Sequence, residues 1–296
     1  VEAAAIALDA GADALVSLGG SSVVDMSKGV AMVLAEGGEF DTLRVESGNR
    51  LVQPKLPHIA IPTTLSAAEF TSAAGITNPA SGVKEIYVSP SLAARWVILD
   101  PLMATATPQR LWAGTGMKLV ADCLEGIVST RATAYSNALL QAALQILLAD
   151  LGAPPDDIAA RGRCLEAAHM TLSNLHNVGV GAVAALRHQL GGRCGVPHGE
   201  ASTIVLPHVM RWNGAAAAPA LGRTADFLGE PSPTAVVSRV EAVTRQLELP
   251  TRLQDVDVQR DELDHIARHA ALEAAARGNV RPADQQGLRE ILDAAY

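Results

Sequence analysis

The feature that most constrains this chain is a strand, a glycine turn and a helix in direct succession near its start. Ala14-Leu15-Val16-Ser17-Leu18 is a short apolar run of the buried-strand kind, Gly19-Gly20-Ser21-Ser22 forms a turn, and Val23 to Ala35 returns to helical periodicity. Ahead of the strand, Val1 to Asp9 is alanine-rich and helical in pattern and stops at Gly11. A helix that opens from a glycine turn presents backbone N–H groups without intrahelical partners, and its dipole favours negative charge there. This is the grammar of an α/β nucleotide site, although a double glycine also serves any tight strand-to-helix connection.

Two further strands read as His58 to Ile61, ended by Pro62-Thr63-Thr64, and Arg95 to Leu99, ended by Asp100-Pro101, with polar loops between them. From about Thr105 the strand signals stop. Long helical stretches follow at Gln109 to Ser129, Ser136 to Asp150, Arg161 to Asn177 and Asp261 to Arg277. A break at Asn279-Val280-Arg281-Pro282 precedes a short terminal helix, and the alanine-rich run Ala215 to Pro219 reads as a connector. The expected fold is therefore α/β plus all-α. An α/β nucleotide-site domain spans residues 1–104, and a helical domain spans 105–296.

Composition removes several classes of partner. With 49% hydrophobic and 18% charged residues the chain can form a compact core. A net charge of −8 without a Lys/Arg run offers no attraction to nucleic acid or an anionic membrane, and no apolar run approaches the roughly 18 residues of a span. Cys123, Cys164 and Cys194 are odd in number and lack CxxC spacing, which fits a reducing, cytoplasmic setting rather than a disulfide framework.

The turn continues as Gly-Gly-Ser-Ser-x-x-Asp-x-Ser-Lys through Asp25 and Lys28, and resembles the Gly-Gly-Gly-Ser-x-x-Asp-x-Ala-Lys signature of iron-containing alcohol dehydrogenases, with Ser21 in place of the third glycine. The resemblance extends in order along the chain. Pro62-Thr63-Thr64-Leu65-Ser66-Ala67-Ala68-Glu69-Phe70-Thr71 looks like the family's Pro-Thr-Thr loop, closest in texture to maleylacetate reductases. Lys84, Ser89-Pro90, Val97-Ile98-Leu99-Asp100-Pro101 and Gly116-Met117 match its next landmarks. Gly191-Gly192, Val196-Pro197-His198-Gly199-Glu200, Leu206-Pro207-His208 and Asn279-Val280-Arg281-Pro282 match its carboxy-terminal ones.

The resemblance implies NAD or NADP as cofactor, with Gly19, Gly20, Ser21, Ser22, Asp25, Thr63, Thr64, Ser66 and Lys84 contributing to its binding, and an active site in a cleft between the two domains. It also implies a homodimer. The resemblance further implies that residues 1–104 form a Rossmann-like dinucleotide-binding domain without its first strands. The family's first several dozen residues, with the acidic residue that often discriminates NAD from NADP, have no counterpart in this sequence. The choice between the two cofactors stays open.

The family's metal ligands are an Asp and a His four apart on one helix, followed by two further His. In this chain Lys118 stands at the Asp position, Asp122 at the first His position and Ala184 at the third, and His198 alone matches a ligand. An ammonium offers no lone pair and repels a divalent cation, so no catalytic metal is expected, with Asp122 and His198 the only weak candidates to hold one. Two readings of Lys118 stay open: an i,i+4 surface pair with Asp122, or a fixed cation that takes over oxyanion stabilisation.

His198 is the general-acid candidate by motif, with His188 placing substrate or relaying a proton. Arg187 and Arg193 read equally as recognition sites for a substrate carboxylate or as surface arginines. The expected activity is reduction of a carbonyl or maleylacetate-like keto acid by nicotinamide, or oxidation of the corresponding alcohol. Its rivals are a metal-free lyase or isomerase on the same fold and a non-catalytic ligand-binding relative.

Overall fold

A computed structural model describes residues 2–36, 56–78 and 84–296. The chain divides into two compact units, Val1–Thr107 and Pro108–Tyr296.

The first unit runs α1 (Glu2–Asp9), β1 (Leu15–Gly19), α2 (Ser21–Glu36), β2 (His58–Pro62), β3 (Ala73–Thr77), β4 (Lys84–Val88), β5 (Trp96–Val97) and α3 (Pro101–Ala104). Strands β1, β2 and β5 form a parallel sheet in that order, with Leu18 opposite Ile61 and Ala60 opposite Val97. Parallel pairing requires a crossover, and α2 supplies it between β1 and β2, packing on both strands. Ser17, His58 and Ala60 are buried, whereas the alternate residues Val16 and Leu18 remain exposed.

Strands β3 and β4 were not expected, since the sequence reads as polar loop there. They form an antiparallel pair with Gly75 opposite Ile86. Ala73-Ala74-Gly75 has little strand propensity of its own. Packing holds it in place, because Met32 of α2, Ala74, Tyr87 and Leu92 share a core, and a Cβ on Gly29 would come 2.8 Å from Ile76 Cδ1.

The second unit is helical: α4 (Gln109–Val128), α5 (Ala134–Asp150), α6 (Ile158–Val178), α7 (Ala182–Cys194), α8 (His198–Leu228), α9 (Pro233–Gln246), α10 (Leu263–Ala270), α11 (Ala274–Gly278) and α12 (Gln285–Ala295). Helix α4 packs against α5, α6 and α8, and is buried along most of its length. It can approach α8 closely because two glycines meet there: a Cβ on Gly199 would collide with the Gly114 carbonyl.

Two expectations need correction. The run Ala215 to Pro219 is helical and belongs to α8, and the break lies just before it at Gly214, whose φ of 48° suits glycine. The stretch Asp261 to Arg277 is not one helix. It divides into a 3-10 turn at Arg260–Glu262, then α10 and α11, with Glu273 extended at φ −73° and ψ 143° between the two helices. No helix among the described residues is long and apolar enough to cross a membrane.

Candidate active site

In the first unit the glycine turn closes as the sequence implies. The amides of Val23 and Val24 both reach back to the Gly20 carbonyl at 3.1 Å, so Ser21 and Ser22 form the first turn of α2. Gly19 lies at φ 157°, and a Cβ there would sit 2.7 Å from Val23 Cγ2. A Cβ on Gly20 would sit 3.0 Å from Thr64 Cγ2. Gly19 therefore requires glycine and Gly20 sits tightly against Thr64, so the backbone remains bare where a diphosphate would approach a helix N-terminus.

The Pro-Thr-Thr loop lies beside this turn. Thr63 donates its amide to the Gly19 carbonyl at 3.1 Å, Thr107 Oγ1 donates to the Thr63 carbonyl at 2.7 Å, and Thr64 Oγ1 accepts the Ser66 amide at 3.4 Å. The structure thus brings Gly19, Gly20, Ser21, Ser22, Thr63, Thr64 and Ser66 to one neighbourhood at the carboxyl end of the parallel sheet. Asp25 accepts the Gly75 amide at 3.1 Å and so anchors β3. Lys84 opens β4, and its side chain lies outside the described residues.

Lys28 is the fastener of this unit. Its buried ammonium donates to the carbonyls of Ala68, Thr71 and Ala73 at 2.7, 3.0 and 2.6 Å. Burial lowers its pKa to about 8, against the opposing charges of Asp25 and Glu69. Beneath the sheet, His58 is paired with Ser17 at 2.7 Å, and burial together with the Lys28 charge pulls it down to about 4.

The second unit holds the other cluster. Asp122 is fully buried, with Lys118 Nζ 2.7 Å from Oδ2 and Arg187 Nη1 2.8 Å from Oδ1. Burial alone would raise the Asp122 pKa, but the two cations outweigh it and hold the carboxyl below its usual range. The i,i+4 bridge of one reading is thus present, but it is largely buried and shared with Arg187. Arg187 is also corrected. It is neither a surface arginine nor aimed at a substrate carboxylate; it is buried with its charge turned onto Asp122. Arg193 is a surface residue, paired with Glu262 at 2.7 Å.

A residue not singled out from the sequence, Glu125, lies one turn beyond Asp122 on α4. Its carboxylate accepts the amides of Val183 and Ala184 at 2.7 and 3.3 Å and so caps the start of α7. Burial pushes it up to about 7, assisted by the Asp122 charge and opposed by Arg187 and the α7 amides. The Asn279-Val280-Arg281-Pro282 element braces the same corner. Asn279 Oδ1 accepts the Ala182 amide at 3.3 Å, and its Nδ2 donates to Asn213 Oδ1 at 2.6 Å, beside the α8 break.

His188 and His198 are both exposed, with ring centroids 5.9 Å apart. His198 begins α8, and a Cβ on Gly191 would come 3.0 Å from its ring. Gly191 therefore has a packing reason, whereas a Cβ on Gly192 would meet open space. The neighbouring Gly199 touches Gly114, one turn from Lys118 on α4. His188 Nδ1 meets Glu273 Oε2 at 2.8 Å.

This donor set does not fit a divalent cation. The Ala184 side chain offers no lone pair, both Asp122 oxygens already face cations, and among the described residues no group of three or more His, Cys, Asp or Glu converges.

The Fe-containing alcohol dehydrogenase family's C-terminal model matches residues 112–296, and the iron-containing alcohol dehydrogenase model matches residues 1–101. The chain belongs to the iron-containing alcohol dehydrogenase family. It is an oxidoreductase of the dehydrogenase/reductase type and a maleylacetate reductase-like member of the family. Maleylacetate reductase 2 of Cupriavidus pinatubonensis is 30% identical over 297 residues, covering 99% of this chain and 76% of that protein. The NAD-dependent methanol dehydrogenase of Bacillus methanolicus is 29% identical over 292 residues, covering 95% of this chain and 76% of that protein. A crystal structure of 1,3-propanediol oxidoreductase superposes with a TM-score of 0.91 at 26% identity, covering all of this chain and 80% of its own.

Proposed function

We propose that this oxidoreductase uses NAD or NADP to reduce a carbonyl or maleylacetate-like keto acid, or to oxidise the corresponding alcohol, and does so without a catalytic metal. The reading rests above all on the Lys118–Asp122–Arg187 cluster, which places two cations around one buried carboxylate where the family pattern holds its metal. When bound, the nicotinamide supplies or accepts hydride at the carbonyl carbon. The bare glycine turn and the first-turn amides of α2 bind its diphosphate, with Thr63, Thr64 and Ser66 alongside and Asp25 and Lys84 completing that set.

Lys118 is the half-buried member of the cluster, 16% exposed, and its ammonium stabilises negative charge developing on the substrate oxygen. Asp122 and Arg187 hold it from behind. His198 delivers the proton to that oxygen, and His188, its ring centroid 5.9 Å away, relays it from solvent. Free thiols at Cys123 and Cys164 accord with a cytoplasmic setting, and a homodimer follows from the family resemblance.

The test is NADH and NADPH binding by fluorescence, followed by oxidation of the bound cofactor against a panel of keto acids and aldehydes, with and without chelator. Binding, chelator-insensitive turnover and a fall in kcat of about 10²-fold in Lys118→Met are expected. Absence of binding sinks the reductase, loss of turnover with chelator sinks metal independence, and an unchanged Lys118→Met rate removes the cation's role.

A further inference from the structure

Glu273 lies between α10 and α11, where the alanine-rich sequence leads one to expect an unbroken helix. Its backbone is tied at both sides, its own amide donating to the Ala270 carbonyl at 3.1 Å and its carbonyl accepting the Arg277 amide at 3.4 Å. Its side chain spans to α7. Oε2 meets His188 Nδ1 at 2.8 Å, and Oε1 accepts from Gln189 Nε2 at 2.7 Å. The carboxylate is thus anchored by two consecutive residues of one helix, a geometry more restrictive than that of a lone surface pair, and is about three-quarters buried, with a side-chain exposure of 24%.

An ionised carboxylate only accepts hydrogen bonds, so the imidazole nitrogen facing it must carry the proton. The remaining nitrogen, Nε2, then keeps its lone pair while the ring is neutral. Two other groups adjoin it: Arg187, one residue earlier, bonds to Asp122 while its charge also acts on Glu273 and favours the ionised carboxylate, and the other ring near His188 is that of His198.

We infer that Glu273 is a positioning residue: through its contact with Nδ1 it fixes the ring orientation and the Nδ1–H tautomer of His188, leaving Nε2 as the nitrogen that exchanges a proton with the reacting centre. The logic is that of any base oriented by a third group. The catalytic consequence rests on the proposed function above, whereas the tautomer does not.

The experiment is long-range ¹H–¹⁵N correlation on the full ¹⁵N-labelled chain with neutral imidazoles, His188 being assigned by its loss in His188→Asn. The wild type should show a protonated Nδ1 and a bare Nε2. Glu273→Ala should shift the ring toward the Nε2–H form while far-UV circular dichroism stays unchanged. Glu273→Gln, whose amide oxygen still accepts from Nδ1–H, should keep the wild-type pattern. In the active enzyme Glu273→Ala should lower kcat by on the order of 10-fold or more. A wild-type His188 in the Nε2–H form, or a Glu273→Ala ring that stays Nδ1–H, overturns the assignment. A tautomer shift in a protein that turns over no panel substrate supports the contact and overturns the reductase reading instead.

Discussion

Arg187 Nη1 lies 2.8 Å from Asp122 Oδ1, joining residues 65 apart in sequence, and Lys118 occupies the other carboxylate oxygen at 2.7 Å. A buried carboxylate with one cation would still bear a large desolvation cost. With two it is held ionised, and one positive charge is left over for Lys118 to present. The arrangement makes sense of two departures from the family pattern at once, at positions 118 and 122.

Removing the buried cation should unfold more than removing the half-buried one. Arg187→Met leaves Asp122 with a single partner and should cost about 3–5 kcal/mol. Lys118→Met should cost clearly less, because its ammonium has solvent as an alternative and Arg187 stays on Asp122. Urea denaturation of the two variants measures the difference; equal costs would mean that Asp122 is not held chiefly by Arg187.

Restoring the family's donors should not by itself restore a metal. In Lys118→Asp/Asp122→His/Ala184→His, the guanidinium of Arg187 still points at position 122 and repels a divalent ion. Cobalt(II) titration, followed by visible absorption, should show binding only when Arg187→Ala is added. Tight cobalt binding by the triple variant with Arg187 intact would refute this account.

Glu125 should impose a pH dependence on stability. Its folded-state pKa is raised from 4.5 to about 7, so between those values the native state holds more protons than the unfolded chain. The contribution is fully present below about pH 4.5 and is lost as pH rises through 7. Glu125→Gln removes this slope, so the stability difference between variant and wild type should move in the variant's favour from pH 5 to pH 8, by on the order of 2–3 kcal/mol. Comparing the two pH values cancels the fixed cost of placing an amide beside the α7 amides. A difference independent of pH would show that Glu125 is ionised throughout.

Lys28→Met keeps the shape of the side chain but strips three carbonyls, those of Ala68, Thr71 and Ala73, of their shared donor. A loss of about 3 kcal/mol is expected in chemical denaturation. Nucleotide affinity should fall with it, because the loop carrying Thr63, Thr64 and Ser66 loses its tie to α2. Unchanged affinity in the folded variant would separate that loop from cofactor binding.

Much of the first unit could be read from local pattern. The strand, the glycine turn and α2 appear where the periodicity places them, and Gly19 proves to be a position with no space for a Cβ. The pair β3–β4 did not show itself, because Ala73-Ala74-Gly75 becomes a strand only through pairing with β4 and packing under α2. In the second unit, Lys118 and Asp122 were visible as an i,i+4 pair, but nothing local showed the pair to be buried. Glu125 and Glu273 carried no motif, and their roles come from the backbone and ring placed against them.

The sequence by itself determined the order of elements, the helical character of the second unit and the replacement of the metal's donors, because periodicity, turn chemistry and residue type are local properties. Only the tertiary structure decided that Arg187 turns inward to Asp122, that Glu125 caps α7 and that Glu273, between α10 and α11, reaches His188. Charges far apart in the chain acquire partners only when helix packing buries them together, and their protonation then follows from burial and neighbours that no local pattern encodes.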